Sequence, residues 1–98
     1  MSYRDILDEN QRLCILLALE EMPVYQANDS ILHTVLERYG HSLSRDQVRT
    51  HISWLQEQGL LTVDMVSRTQ VATLTGRGID VARGRAFLPG VKRPEPKG

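Results

Sequence analysis

The chain has 98 residues, 41% of them hydrophobic and 24% charged, with zero formal net charge and a single cysteine. That is one small globular domain without a disulfide framework, and Cys14, inside an apolar run, reads as a buried thiol suited to a reducing compartment. Its longest apolar run, Leu13 to Leu19, is far short of the ~20 residues that span a bilayer, and the acids flanking it do not make a secretory signal. The expected location is the cytoplasm, with no membrane partner.

The first helix is expected over residues 4–21, with Ile6, Leu7, Leu13, Leu16, Leu17 and either Ile15 or Leu19 turned inward. From 13 to 19 it is apolar nearly all round. A helix of that kind covers more than one surface, so a homodimer through residues 4–21 is expected. Pro23 ends it. Asn28-Asp29-Ser30 offers caps for a second helix, in which Ile31, Leu32, Val35, Leu36 and Tyr39 share one face, and Gly40 stops it.

Only four residues, Gly40 to Leu43, lead to the third helix, so the two must turn sharply on each other. A helix, a short glycine-containing turn and a capped second helix form a helix-turn-helix signature, which other helical hairpins share. Ser44 and Gln47 stand at capping-box spacing. Val48, Ile52 and Leu55 recur on one face, and Gly59 supplies the left-handed stop. The flanks and far side carry Arg45, Asp46, Arg49, Thr50, Ser53 and Glu57, a polar surface that suits a DNA major groove.

After Gly59 the period becomes two. Leu61, Val63 and Met65 alternate with Thr62, Asp64 and Val66, and residues 71–74 form a second extended run after a turn over Ser67–Gln70. Thr75 caps a last helix that reaches about Arg83 and is stopped by Gly84. Residues 1–88 thus form the domain. Residues 89–98, with Pro89, Pro94 and Pro96 among Lys92, Arg93 and Lys97, read as a flexible basic tail.

The order of these elements, with Leu55-x-x-x-Gly59-Leu60 and Leu74-Thr75-x-x-Gly78, resembles the winged helix-turn-helix domains of bacterial and phage regulators over residues 5 to about 86. The whole chain, including Gly90-Val91-Lys92-Arg93-Pro94, also resembles small winged-helix proteins of Mu-like prophages. The resemblance implies a mainly α fold with a small β-hairpin wing (α+β). The helix from Ser44 to Gln58 would be the recognition helix and Ser67–Gln70 the wing tip. One departure stands out: this reading face contains Asp46 and Glu57, where the family's is strongly basic.

The function expected is double-stranded DNA binding by a transcriptional regulator. Arg45 and Arg49 would reach base edges, where an arginine on guanine is worth ~1–3 kcal/mol of discrimination. Ser44, Thr50 and Ser53 would contact phosphate or a thymine methyl, Arg68 the minor groove or backbone, and Lys92 and Arg93 phosphates. The plainer alternative is a solvated helix face with an internal Arg45–Asp46–Arg49 cluster. Trp54, off the apolar stripe, is expected under the wing or the first helix.

Charge placement favours a nucleic-acid surface on the second half. Residues 1–37 hold seven acids against Arg4 and Arg12, and residues 38–98 hold ten bases against five acids. Zero net charge and the acids on the third helix favour a rival, a winged-helix protein-interaction module that does not bind DNA.

Other chemistries find little support. Gly76-x-Gly78 lacks a third glycine and a following βαβ unit, so no dinucleotide site is expected. His33, His41, His51 and Cys14 show no chelating spacing, so no metal or cofactor is expected. No nucleophile, histidine and carboxylate are arranged for catalysis, and an enzyme is not expected.

Overall fold

A computed structural model describes residues 2–95 and contains four α-helices and a three-stranded antiparallel sheet. Helix α1 (Tyr3–Glu21) begins at a capping box between Ser2 and Asp5. A 3-10 turn, Pro23–Tyr25, leads into strand β1 (Gln26–Asn28). Three residues are too few to display an alternating pattern, and this strand had no signature in the sequence. Asn28 then caps α2 (Asp29–Arg38), its side-chain oxygen accepting from the Ile31 N–H at 2.8 Å.

Helix α3 (Arg45–Glu57) starts at the expected capping box. The Ser44 hydroxyl accepts from the Gln47 N–H at 3.1 Å, and Gln47 Oε1 accepts from the Ser44 N–H at 2.9 Å. Val48, Ile52 and Leu55 are fully buried, and Gly59 takes a φ of +76°. Strands β2 (Leu61–Val66) and β3 (Thr69–Leu74) follow, then α4 (Gly76–Ala82), capped by Thr75. Strand β3 is central in the order β1-β3-β2, with Ala72 opposite both Ala27 and Val63. The hairpin turn is shorter than the expected 67–70. Thr69 and Gln70 pair with Val66 and Met65, leaving Ser67 and Arg68 as the turn, with Ser67 in the left-handed region.

The core is drawn from every layer: Leu16 and Leu19 of α1, Leu32 and Leu36 of α2, the α3 stripe, and Ala72 of the sheet, all essentially without solvent contact. Each leucine or isoleucine contributes roughly 1.5–3 kcal/mol of burial. Four residues expected inside are instead exposed: Ile6 and Leu17 on α1, and Ile31 and Tyr39 on α2. The partners of α1 lie to one side, so its apolar girdle is wider than the contact it makes.

The two motifs that carried the family resemblance interlock. Thr75 donates its hydroxyl to the Gly59 carbonyl at 2.7 Å and its N–H to the Leu60 carbonyl at 3.1 Å. Gly78 lies so close beneath Leu60 that a Cβ there would sit 1.9 Å from the Leu60 carbonyl oxygen. Only glycine fits.

Over residues 89–95 the structure differs from the expected tail. Val91 is buried, the Lys92 N–H donates to the Glu9 carbonyl at 3.2 Å, and Gly90 lies against the Trp54 ring. Isolated apolar residues such as Leu88 and Val91 among prolines and glycines have no periodicity, so composition concealed a strap that packs. Pro96, Lys97 and Gly98 lie outside the described residues.

Candidate nucleic-acid interface

Arg45 and Arg49 stand one turn apart on α3, so their side chains share a flank. Both reach Asp29, the first residue of α2. Arg45 Nη2 is 3.1 Å from Asp29 Oδ1, and Arg49 Nε is 2.7 Å from Oδ2. Arg49 Nη2 also donates to the Arg68 backbone carbonyl at 2.9 Å. One carboxylate and one guanidinium therefore tie α2, α3 and the β2–β3 turn together.

The Asp29 side chain is fully buried. A carboxylate there is tolerable only when paired. Burial raises its pKa, but the hydrogen bond from Arg49 and the charges of Arg45 and Arg49 outweigh that and hold it below the usual range. Asp29 is thus an anion at neutral pH. About half of the Arg45 side chain and a third of Arg49 remain open to solvent, so each keeps N–H groups on the outer surface.

The Arg45–Asp46–Arg49 cluster of the plainer alternative does not form among the described residues. The Asp46 backbone carbonyl accepts the Thr50 hydroxyl at 2.9 Å, and the acid that pairs with the arginines is Asp29. Ser44 spends its hydroxyl on the cap, while Ser53 and the Arg68 side chain are exposed. Lys92 and Arg93 belong elsewhere. They line a groove between α1 and α4, with Lys92 Nζ 3.7 Å from Glu95 and Arg93 stacked over Phe87.

On its other flank α3 faces α1 and the C-terminal strap. The Arg12 guanidinium lies 4.0 Å over the Trp54 ring and donates to the Gly90 carbonyl at 3.0 Å. Trp54 is thus packed by the first helix, one of the two expected places, and by the strap. His51, nearly buried, bonds Gln11 Oε1 through Nε2 at 2.8 Å, with Asp8 at 3.7 Å. Its Nδ1 has no partner. Burial first, and then the charge of Arg12, lower its pKa; Asp8 opposes them, and Arg4 and His41 add smaller lowering contributions. Among the described residues no three His, Cys, Asp or Glu side chains converge as a metal ion would require.

Asp29 is the residue that sequence reasoning missed. An acid at the start of a helix is ordinary complement to the helix dipole. Nothing local announces partners sixteen and twenty positions away.

Among the described residues four helices and a three-stranded antiparallel sheet, with an arginine-bearing helix braced against a hairpin, define a small α+β protein. The chain belongs to the family that includes gp26 of Escherichia phage Mu, an uncharacterized protein to which it is 53% identical over 93 residues, covering 95% of this chain and 96% of that one. An uncharacterized protein of Haemophilus influenzae strain Rd is 47% identical over 78 residues, covering 79% and 76%. No protein-family profile and no solved structure matches the chain. No helix among the described residues is long and apolar enough to cross a membrane.

Proposed function

We propose that this protein is a winged-helix regulator that binds double-stranded DNA. Helix α3 enters the major groove, and the Ser67–Arg68 turn rests on the backbone or in the minor groove. The order helix, strand, helix, helix and hairpin supports the winged-helix reading, as does a three-stranded sheet with β3 at its centre.

The observation that carries the reading is the fixed arginine array. A single buried carboxylate holds Arg45 and Arg49, and Arg49 holds the turn that bears Arg68. Two guanidiniums meet one buried carboxylate, so the Arg45–Asp29–Arg49 array keeps one positive charge. Arginines already held in place lose little conformational freedom on binding, and their remaining N–H groups can reach guanine edges or phosphates. A DNA ligand places the protein's work in the cytoplasm, which the free Cys14 also suits.

The test is fluorescence anisotropy of a mixed duplex pool titrated with protein at several salt concentrations. Binding that falls steeply with salt, and weakens about tenfold in Arg45→Ala/Arg49→Ala, is the expected outcome. A second reading, a winged-helix module that binds protein instead, is favoured by Asp46 and Glu57, both exposed on α3. Folded protein that binds no duplex at low salt would select it.

A further inference from the structure

We infer that Asp46 sets the base preference of α3: its carboxylate accepts from the N4 amino group of a cytosine, so preferred duplexes carry a C·G pair beneath it. The inference rests on the DNA-binding reading and names a base that the reading leaves open.

The position of Asp46 supports it. Val48, Ile52 and Leu55 are fully buried, while Asp46, Thr50 and Ser53 are exposed. At about 100° per residue, Asp46 and Leu55 point to opposite sides of the helix. Arg49 falls about 60° to one side of Asp46, and Arg45 about 100° to the same side. The middle of the outward face is therefore an acid, and the arginines form one edge of it. Asp29 decides what that acid can do. It binds Arg45 at 3.1 Å and Arg49 at 2.7 Å, drawing both guanidiniums toward α2. Among the described residues the Asp46 carboxylate has neither an ion pair nor a hydrogen bond, although both arginines lie within a turn of it. Thr50 donates its hydroxyl to the Asp46 backbone carbonyl at 2.9 Å, so it too faces outward as an acceptor.

An acceptor placed in a major groove discriminates among bases. Guanine shows N7 and O6 there, thymine shows O4, and adenine has an N7 acceptor beside its N6 donor. Cytosine alone shows a donor with no acceptor of its own. A carboxylate has no proton to give, so it forms a bond with cytosine and meets like-signed atoms on the other three. It also repels phosphates, so Asp46 lowers overall affinity while raising discrimination. The flanking arginines supply the attraction to the backbone. An acid in the first turn also complements the helix dipole. That role needs only a charge near the helix start and dictates no base, so base preference separates the two.

The experiment is parallel selection from a randomised duplex pool by the full chain as wild type, Asp46→Asn and Asp46→Ala, each shown folded by circular dichroism. Wild type should enrich a cytosine that anisotropy titrations show to be preferred about tenfold over other bases. Asp46→Asn, whose amide both donates and accepts, should move that position to adenine. Asp46→Ala should lose the preference there and bind the unselected pool more tightly at low salt. Enrichment of the same bases by all three proteins overturns the inference and leaves the DNA-binding reading standing. So does a position that responds to the variants but is not cytosine in wild type. Failure of folded wild type to retain any duplex at low salt defeats the DNA-binding reading itself, and the inference with it. Should Asp46→Asn not fold, Asp46→Ala decides, and a retained cytosine preference overturns the inference.

Discussion

Helix α3 is held by arginines on both flanks, and the two arrangements differ in what they leave free. On one side Arg12 is sandwiched between the Trp54 ring and the Gly90 carbonyl, beside a buried His51. That guanidinium lies between its neighbours and acts as packing material. On the other side Arg45 and Arg49 share a buried carboxylate and still expose part of each guanidinium. The first arrangement looks inward and the second outward. The difference teaches that burial of the acid, rather than of the bases, is what can make a fixed yet available cationic surface.

Removing the acid should separate the two flanks most strongly. Asp29→Ala leaves two arginines without their anion, but both reach water, so the loss is set at about 2–3 kcal/mol, below that of a fully buried pair. Urea denaturation reads it. The sign of the acid dependence follows from the depressed Asp29 pKa. Stability from the anion is complete above the ordinary carboxylate range and is lost as pH falls through the folded value. Wild type should therefore show a steeper acid limb than Asp29→Ala, which keeps the part due to Asp5 in its capping box.

Gly90→Ala probes the inward flank. Its φ is +99°, and a Cβ would lie 2.7 Å from two Trp54 ring carbons. The strap or the ring must shift, at about 1–2 kcal/mol. Because that flank is structural, the same variant should leave duplex affinity unchanged under conditions where it is folded. A large loss of affinity would erase the distinction between the flanks.

The smallest effect is the pH response of His51. Its folded pKa lies below the ordinary 6.5, so its contribution is complete above that value. It declines as pH falls from there to the folded pKa, because the unfolded chain takes up the proton first. Thermal midpoints measured across that window should fall in wild type and flatten in His51→Gln. Equal slopes would show that the His51–Gln11 contact is neutral to protonation.

Much of this organisation is legible in the sequence. Ser44 and Gln47, Thr75, Gly59 and the Val48–Ile52–Leu55 stripe all act locally, within one or two turns, and each performs the role its spacing predicts. Strand β1 was hidden because its pairing with β3 is remote and three residues long. The strap over 89–95 was hidden because Gly90 matters through Trp54 and Arg12, which only the fold brings to it. The site divided along the same line. That Arg45 and Arg49 share a flank is helical geometry; that Asp29 claims them is tertiary, as is the removal of Lys92 and Arg93 to the α1–α4 groove.

The central claim is that Asp29 orients Arg45 and Arg49 for DNA, and duplex affinity of Asp29→Asn against wild type tests it most directly. The substitution keeps the shape and makes the protein one unit more positive. If the arginines act only as charge, affinity should rise. If the brace places them, affinity should fall several-fold at constant salt while circular dichroism shows the fold intact. An unchanged or increased affinity in the folded variant would contradict the account.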